Sequence, residues 1–319
     1  MVACSVIRDP IITMAFTVTI LGNSSAKPTP YAHPSAQVVN LNEQYYLVDA
    51  GEGVQQQLIR RGINPLRLRA VFISHLHGDH CFGLFPLIAT LGLEGKRTPL
   101  DIYAPAPMGE ILEYHRRYFW DDLPYEVKWH EVHTTEHQIV MENSTLEVWS
   151  IPLRHRVPTS GYLFREKQPG RNVEKYKIEK YGLSIAEIVA AKRGEDIVRN
   201  GVRIANEELT YIPYKARSYA YLSDTNYSAR AAERVRGVDL LYHETTYSER
   251  DSMVSKGRGH STTHDAAKAA LKAEAKRLII GHFSSRYKDY EQLVEECREL
   301  FTETYIAREG ETFSIEERR

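Results

Sequence analysis

The chain has 319 residues, 26% of them charged, and a net charge of −1 at neutral pH. This length fits one large α/β domain or two small ones. The near-zero net charge argues against a protein that binds nucleic acid through its overall charge, so any polyanion must be bound by local patches.

The three cysteines, Cys4, Cys81 and Cys297, are widely spaced, which argues against a disulfide framework and favours a reducing cytoplasm. No apolar stretch approaches the length of a membrane span.

Strand and helix signals alternate along most of the chain. Residues 1–14 are predicted to be a disordered extension or a mis-assigned start, because they lack the apolar core and cleavage site of a signal peptide. Residues 15–319 are predicted to form a layered α/β domain. Strands are predicted at Ala15–Gly22, Gln37–Leu41, Tyr45–Val48, Leu100–Tyr103, Glu126–His130, Leu146–Ile151, Tyr219–Leu222, Leu240–His243 and Leu278–His282, and helices at Val54–Arg61, Phe82–Leu93, Gly109–Phe119, Thr263–Ala275 and Tyr290–Phe301.

One segment, residues 165–217, departs from this alternation. It contains 12 Lys or Arg against 8 Asp or Glu, and glycines recur along it. Two short amphipathic pieces, Glu174–Tyr181 and Ile185–Lys192, indicate helices. Composition alone favours a solvated, partly mobile insertion. The functional alternative is a protruding arm that binds a polyanion.

The most informative motif is Ser-His-Leu-His-Gly-Asp-His at residues 74–80, directly after the apolar run Ala70–Ile73. Such a run indicates a buried strand, and α/β sheets place their sites where strands end. Side chains two apart on an extended segment point the same way, so His75 and His77 can bind one metal ion. Asp79 and His80, past Gly78, can bind a second. This mixed nitrogen and oxygen ligand set suits zinc.

Two metal ions need more ligands, and three distant residues qualify. His155, Asp224 and His282 each follow or end an apolar strand signal. Asp224 could bridge both ions, because a carboxylate has two oxygens whereas a neutral imidazole offers one free nitrogen. Taken singly, each of these residues is more often a structural polar residue. The remaining histidines at 115, 130, 133 and 137 have no such context and are predicted to lie at the surface.

The order of these ligands resembles that of the metallo-β-lactamase superfamily. Longer matches narrow the resemblance to the ribonuclease Z family of tRNA 3′-processing endonucleases. The matching stretches are Ile20-Leu-Gly-Asn-Ser-Ser-Ala, Val48-Asp-Ala-Gly-Glu-Gly, the segment from Phe72 to Leu84, His155-Arg-Val-Pro-Thr-Ser-Gly-Tyr, Tyr221-Leu-Ser-Asp-Thr, His243-Glu-Thr-Thr-Tyr, Gly259-His-Ser-Thr-Thr and His282-Phe-Ser-Ser-Arg-Tyr. They run from about Phe16 to the end of the chain.

The resemblance implies a four-layer αββα sandwich with the site between the two sheets. It implies two zinc ions (manganese is possible), the first held by His75, His77 and His155, the second by Asp79, His80 and His282, and both bridged by Asp224. Asp49 would support this loop from behind the ligands. Asp79 would take the proton of the attacking water, and His260 would act near the leaving oxygen. The segment at 165–217 falls where the family carries its tRNA-binding arm.

The resemblance also implies a cytoplasmic homodimer that cleaves precursor tRNA. Lys175, Lys177 and Lys180 would bind tRNA in the arm, although the family's Gly-Pro pair is absent there. Arg286 and the hydroxyls of Ser261, Thr262 and Ser284 are predicted to hold a phosphate.

Two alternatives remain open at this stage. One is a dinuclear phosphodiesterase that acts on small diesters, for which an arm is unnecessary. The other is a metal-binding scaffold without catalysis, which the complete set of ligand positions disfavours.

Overall fold

A computed structural model describes residues 15–316; the prediction for residues 1–14 falls outside this range. The described chain alternates strands and helices, with 3-10 turns at Pro65–Arg67 and Glu249–Asp251. The strands are β1 Phe16–Gly22, β2 Ala36–Leu41, β3 Gln44–Ala50, β4 Leu68–Phe72, β5 Leu100–Ala104, β6 Val127–Glu131, β7 Ile139–Glu142, β8 Leu146–Pro152, β9 Ser160–Glu166, β10 Asn172–Val173, β11 Ile197–Arg199, β12 Val202–Ile204, β13 Thr210–Tyr211, β14 Ser218–Leu222, β15 Leu240–Glu244, β16 Arg277–Gly281, β17 Thr304–Ile306 and β18 Thr312–Ser314. The helices are α1 Val54–Arg60, α2 Gly78–Cys81, α3 Leu84–Leu93, α4 Pro107–Phe119, α5 Lys175–Tyr181, α6 Ile185–Lys192, α7 Asn206–Leu209, α8 Ala229–Arg234, α9 Ser252–Arg258, α10 Thr263–Lys272 and α11 Glu291–Arg298.

Two seven-stranded mixed sheets form the centre of the fold. Their strand orders are β18-β1-β2-β3-β4-β5-β6 and β17-β16-β15-β14-β9-β8-β7. The inner faces of both sheets contribute to one buried cluster that includes Phe72, Tyr162 and Tyr219. A second cluster joins the first sheet to α1, α3 and α4, and a third joins the second sheet to α8, α10 and α11. The layers are therefore helix, sheet, sheet, helix, as the resemblance implied.

Several strand ends meet at one edge of this sandwich. In the first sheet β3, β4 and β5 run parallel, and in the second β14, β15 and β16 do. Parallel strands present their carboxyl ends at the same edge of a sheet. Asp49 lies at the end of β3, Asp224 two residues past β14, and His282 directly after β16. All three have positive φ angles of 56°, 47° and 59°. Non-glycine residues rarely adopt this conformation, and it concentrates at functional sites.

The segment at 165–217 folds into a small unit of its own. Two short antiparallel pairs, β10–β13 and β11–β12, accompany α5, α6 and α7. Leu183, Ala191, Ile197 and Leu209 are buried together in a separate core. The segment is therefore folded rather than irregular, and we call residues 165–217 the arm from here on. Its predicted role in substrate binding is a separate question.

A buried ion pair closes the base of the arm. Arg217 donates two hydrogen bonds to Glu166, at 2.8 and 2.7 Å, and each side chain is only 4% exposed. The same guanidinium donates to the carbonyl of Ile315 at 3.0 Å and lies over the ring of Phe16. Arg217 therefore joins the base of the arm to the first strand and to the chain segment that follows β18.

Candidate metal centre and catalytic site

The structure brings all seven predicted ligands together at the edge where the strands end. They fall into two groups, and within each group the ligand atoms lie within 4.8 Å of one another. A third, overlapping group of this kind joins Asp224 and His282 to His260. The first group is His75, His77, His155 and Asp224, and the second is Asp79, His80 and His282. This is the division that the spacing of the first motif suggested.

Asp224 lies between the two groups and turns one oxygen towards each. Its Oδ2 is 3.5 Å from His75 Nε2 and 3.6 Å from His155 Nε2. Its Oδ1 is 3.3 Å from His80 Nε2 and 3.2 Å from His282 Nε2. Since the carboxylate is almost fully buried, only groups in this centre can compensate its charge. Its two oxygens face different groups of histidines.

For His80 and His155, a hydrogen bond at Nδ1 indicates that the other ring nitrogen, Nε2, carries no proton. His80 Nδ1 lies 2.7 Å from Asp49 Oδ2, and His155 Nδ1 lies 2.8 Å from the carbonyl of Gly259. Each contact requires Nδ1 to donate, which leaves Nε2 unprotonated in a neutral ring. These Nε2 atoms point into the centre. Gly259 is suited to its position because it has φ +77° and a Cβ there would approach His155.

The spacing of these atoms fits metal ions. His75 Nε2 lies 3.0 Å from His77 Nδ1, and His80 Nε2 lies 3.3 Å from His282 Nε2. Nitrogen ligands at about 2.0–2.1 Å from a tetrahedral zinc ion are about 3.3 Å apart. Ring nitrogens that face one another at such distances can share a proton or bind one metal ion between them. The donor set therefore fits a dinuclear centre of nitrogen and oxygen ligands.

The charges of the two groups differ. Burial, the largest influence, lowers the pKa values of His75, His77 and His155, so neutral imidazole is favoured in the first group. Burial also acts to lower the pKa of His80, but the carboxylates of Asp224, Asp49 and Asp79 outweigh it and raise that pKa well above its usual value. The neighbouring carboxylates therefore favour positive charge in the second group.

Asp79 is held in place by the first loop of the chain. The backbone N–H of Ala26 donates to Asp79 Oδ2 at 2.7 Å, and the same oxygen lies 3.5 Å from both His80 Nε2 and His282 Nε2. Its side chain is 10% exposed, so it borders the opening of the site. This position is consistent with its predicted roles as ligand and base.

His260 lies beside the centre and is paired with a buried carboxylate. Its Nδ1 is 2.9 Å from Glu244 Oε1, and its side chain is 13% exposed. Burial acts to lower the pKa of His260, but Glu244 outweighs it and raises the pKa to about 9. His260 therefore carries a proton near neutral pH, which a general acid requires.

The residues predicted to hold a phosphate occupy different surroundings. Ser261 is fully buried and donates to the carbonyl of Thr225, while Thr262 caps the start of α10 and donates to Glu249. Both hydroxyls thus have structural partners. Ser284 is half-buried. Arg286 lies 3.4 Å from Asp251 and over the ring of Tyr247 at 4.9 Å. Substrate contacts by these residues stay a prediction.

The three predicted arm lysines lie on α5. Lys175 and Lys180 are exposed, whereas Lys177 is half-buried and pairs with Glu174 at 2.8 Å. The ammonium of Lys180 lies 4.9 Å from the ring centre of Tyr181. Of the four histidines predicted at the surface, His133 is exposed, whereas those at 115, 130 and 137 are partly buried; His115 stacks on Phe85 at 4.0 Å.

Sequence reasoning gave no role to the residues that orient the ligands, apart from Asp49. Ser74, Glu244 and Thr246 all hydrogen-bond to histidines of the site. Glu244 ends β15, so the strand-end rule that found Asp224 would also have found it. Ser74 and Thr246 have no comparable signal, because a hydroxyl next to a ligand is common in any sequence.

Comparisons with known proteins agree with this fold and site. A family model described as the beta-lactamase superfamily domain matches residues 44–184 and 201–283. Ribonuclease Z from Porphyromonas gingivalis is 43% identical over 92% of this chain and 97% of its own length. Ribonuclease Z from Bacteroides thetaiotaomicron is 41% identical over 94% of this chain and 95% of its own. The crystal structure of the short form of human tRNase Z superposes with a TM-score of 0.69 at 24% identity, covering 94% of this chain and 99% of that one.

The αββα layers, the matching family model and the His and Asp groups at the sheet edge define a hydrolase-type protein of the metallo-β-lactamase superfamily. Within that superfamily the extent of the sequence identity is decisive. The chain belongs to the ribonuclease Z family of endoribonucleases.

Proposed function

We propose that this protein is a zinc-dependent endoribonuclease that removes the 3′ trailer from precursor tRNA and leaves a 3′-hydroxyl. The observation that carries the proposal is Asp224, whose two oxygens face two separate groups of bare histidine nitrogens. Phosphodiester cleavage needs an activated water, a neutralised phosphate and a protonated leaving group. A dinuclear centre with an adjacent acid meets all three needs.

The residues divide this chemistry among themselves. Two metal ions, when bound, would supply an activated water and neutralise the phosphate. Asp79, at the opening of the site, orients the water and accepts its proton. His260, protonated through Glu244, donates a proton to the leaving oxygen of the tRNA product. Zinc suits the histidine-rich ligand set, although manganese can bind similar ligands.

The arm supports a tRNA substrate rather than a small diester. It has its own core, so it can hold a surface away from the metal centre. Lys175 and Lys180 are exposed on α5 beside the exposed ring of Tyr176. Lysines and aromatic rings together are typical of surfaces that bind RNA backbone and unpaired bases.

The proposal includes a homodimer in the cytoplasm. Helix α4 exposes Tyr114, Tyr118 and Phe119 by 59%, 68% and 70%. Exposed aromatic rings of this kind mark protein interfaces more often than free surface. Light scattering gives the mass directly: we expect a dimer that Tyr118→Glu and Phe119→Glu together convert to a monomer.

In the described residues 15–316 no helix is long and apolar enough to span a bilayer.

The deciding experiment is incubation with a precursor tRNA that carries a 3′ trailer, with the cut mapped to the nucleotide and a chromogenic diester assayed in parallel. We expect a single cut at the trailer junction and loss of both activities after chelation. His155→Ala should lower metal per chain and abolish cleavage, whereas His133→Ala, at an exposed histidine, should match the wild type. Diester hydrolysis without tRNA cleavage would replace the proposal with a small-diester phosphodiesterase.

A further inference from the structure

The same pattern of hydrogen bonds occurs on both sides of the site: a carboxylate contacts one histidine directly and a second histidine through a hydroxyl group. On one side Asp49 accepts directly from His80 Nδ1 and also from the hydroxyl of Ser74 at 2.9 Å. Ser74 Oγ in turn lies 3.0 Å from His75 Nδ1. A single carboxylate thereby reaches two histidines, one directly and the other through a hydroxyl.

On the other side Glu244 and Thr246 repeat this construction. Glu244 Oε1 pairs with His260 Nδ1 at 2.9 Å, and Glu244 Oε2 accepts from the Thr246 hydroxyl at 2.6 Å. Thr246 Oγ1 lies 2.9 Å from His282 Nδ1. The three side chains of Glu244, Thr246 and His282 are all buried, so solvent cannot readily replace these partners.

The direction of each bond follows from the hydrogen count. An ionised carboxylate can only accept, so the single hydroxyl proton of Thr246 is committed to Glu244. The hydroxyl oxygen is then left as an acceptor for His282, and His282 must donate from Nδ1. A neutral imidazole with its proton on Nδ1 has a bare Nε2, and that atom is 3.3 Å from His80 Nε2 and 3.2 Å from Asp224 Oδ1.

We infer that Thr246 is a positioning residue for the second metal: its hydroxyl fixes the tautomer of His282 and connects that ligand to the carboxylate that holds His260. The inference rests on the proposed dinuclear centre. Partners of this kind behind a metal-binding histidine orient the ring and raise its basicity, and their loss commonly weakens metal affinity by about 10- to 100-fold.

The test compares Thr246→Val, which removes the hydroxyl at nearly constant shape, with Thr246→Ser, which keeps it. The matched control is Thr245→Val: Thr245 is also fully buried, but its hydroxyl points to the carbonyl of His243 at 3.4 Å. Zinc affinity is measured by competition with a chelator, which resolves the two binding steps. Unfolding of each metal-free variant is followed by circular dichroism.

We expect Thr246→Val to weaken one of the two zinc-binding steps by about 10- to 100-fold and to leave the other unchanged. Thr246→Ser should restore the affinity, and Thr245→Val should bind both ions like the wild type. Two equally tight steps in Thr246→Val, equal weakening of both, or an equal loss in Thr245→Val would overturn the inference. A wild-type chain that binds no second zinc would instead count against the proposed dinuclear centre.

If Thr246→Val does not fold, the wild-type protein still decides the matter. Nitrogen-15 NMR of the metal-free chain at alkaline pH reports which ring nitrogen of His282 carries the proton. We expect protonated Nδ1 and bare Nε2. A proton on Nε2 of His282 would overturn the inference without bearing on the enzyme's reaction.

Discussion

A histidine binds a metal ion only through a nitrogen that carries no proton, and in this site the neighbours of His80, His155 and His282 determine which nitrogen that is. An oxygen of Asp49, of Gly259 and of Thr246 lies within hydrogen-bond distance of Nδ1 of His80, His155 and His282, respectively. The ligand set is therefore prepared by groups that do not touch the metal positions themselves. His260 belongs to the same network through Glu244, although we assign it to proton transfer.

The first prediction concerns His260. His260→Ala should keep two metal ions per chain and lose about 10²- to 10⁴-fold in kcat on precursor tRNA, which is the usual contribution of a general acid. Single-turnover cleavage and metal analysis of the same sample check both parts. A kcat equal to that of the wild type would contradict the prediction and would indicate that His260 has only a structural role before α10.

The second prediction concerns the pH dependence. Glu244 is the main group that raises the pKa of His260, so Glu244→Gln should lower that pKa. A general acid is active while protonated, and its contribution is lost as the pH rises through its pKa. The alkaline limb of the cleavage profile should therefore move to lower pH in Glu244→Gln.

Asp101→Asn, at a carboxylate that pairs with His130, serves as the control for the second prediction. It should leave the profile in place. An alkaline limb that Glu244→Gln leaves where it is would separate His260 from the proton transfer.

At the scale of elements, the sequence predicted most of the parts that hold the site. The two strands on either side of Asn42-Glu43, the strand before His75 and the strands that lead to Asp224 and His282 all form where apolar runs indicated them. Helix Ile185–Lys192 has the predicted bounds, with a capping box between Ser184 and Glu187. Strands β7, β9, β17 and β18 were missed, as were the four short strands β10 to β13 of the arm.

The third prediction belongs to the arm. Lys175→Glu with Lys180→Glu should raise KM for precursor tRNA and flatten its dependence on salt, since fewer phosphate contacts release fewer counterions. Hydrolysis of a small diester should barely change. Lys177 is left intact because its ion pair with Glu174 supports α5.

The control for the arm carries the same change of charge elsewhere. Lys128→Glu with Lys268→Glu alters two exposed lysines outside the arm and should leave both the KM and the salt dependence near the wild type. An equal rise in KM for both double variants would mean that only overall charge matters, and no rise in either would remove these arm lysines from tRNA binding.

At the scale of the whole molecule, the arm and the two sheets are joined at Arg217. Its guanidinium reaches Glu166 at the base of the arm, the carbonyl of Ile315 and the ring of Phe16 in the first sheet. A buried pair of this kind adds little stability compared with apolar residues, but the loss of one partner leaves a buried charge uncompensated. Through Arg217, the position of the base of the arm therefore depends on contacts with both sheets.

The fourth prediction follows from this ion pair. Glu166→Gln should lower the free energy of unfolding by about 3–5 kcal/mol, because it removes the charge of one partner from an ion pair whose side chains are each only 4% exposed. Glu233→Gln, in an exposed pair with Lys272, should leave the free energy of unfolding close to that of the wild type, because solvent screens such a pair. Urea unfolding of the metal-free variants measures both. Equal small losses would show that Arg217 finds other partners or water.

The sequence by itself determined the ligand types, their order and the strand ends that carry them, because a run of apolar residues followed by His or Asp is a local pattern. It also indicated the family through short matching stretches. What only the tertiary structure decided is which atoms meet. Asp224 faces both groups because two separate sheets place their strand ends at one edge. Glu244 reaches His260, and Thr246 reaches His282 because β15 and β16 are neighbours in the second sheet. The core of the arm likewise depends on contacts between residues far apart in the chain, which no local pattern encodes.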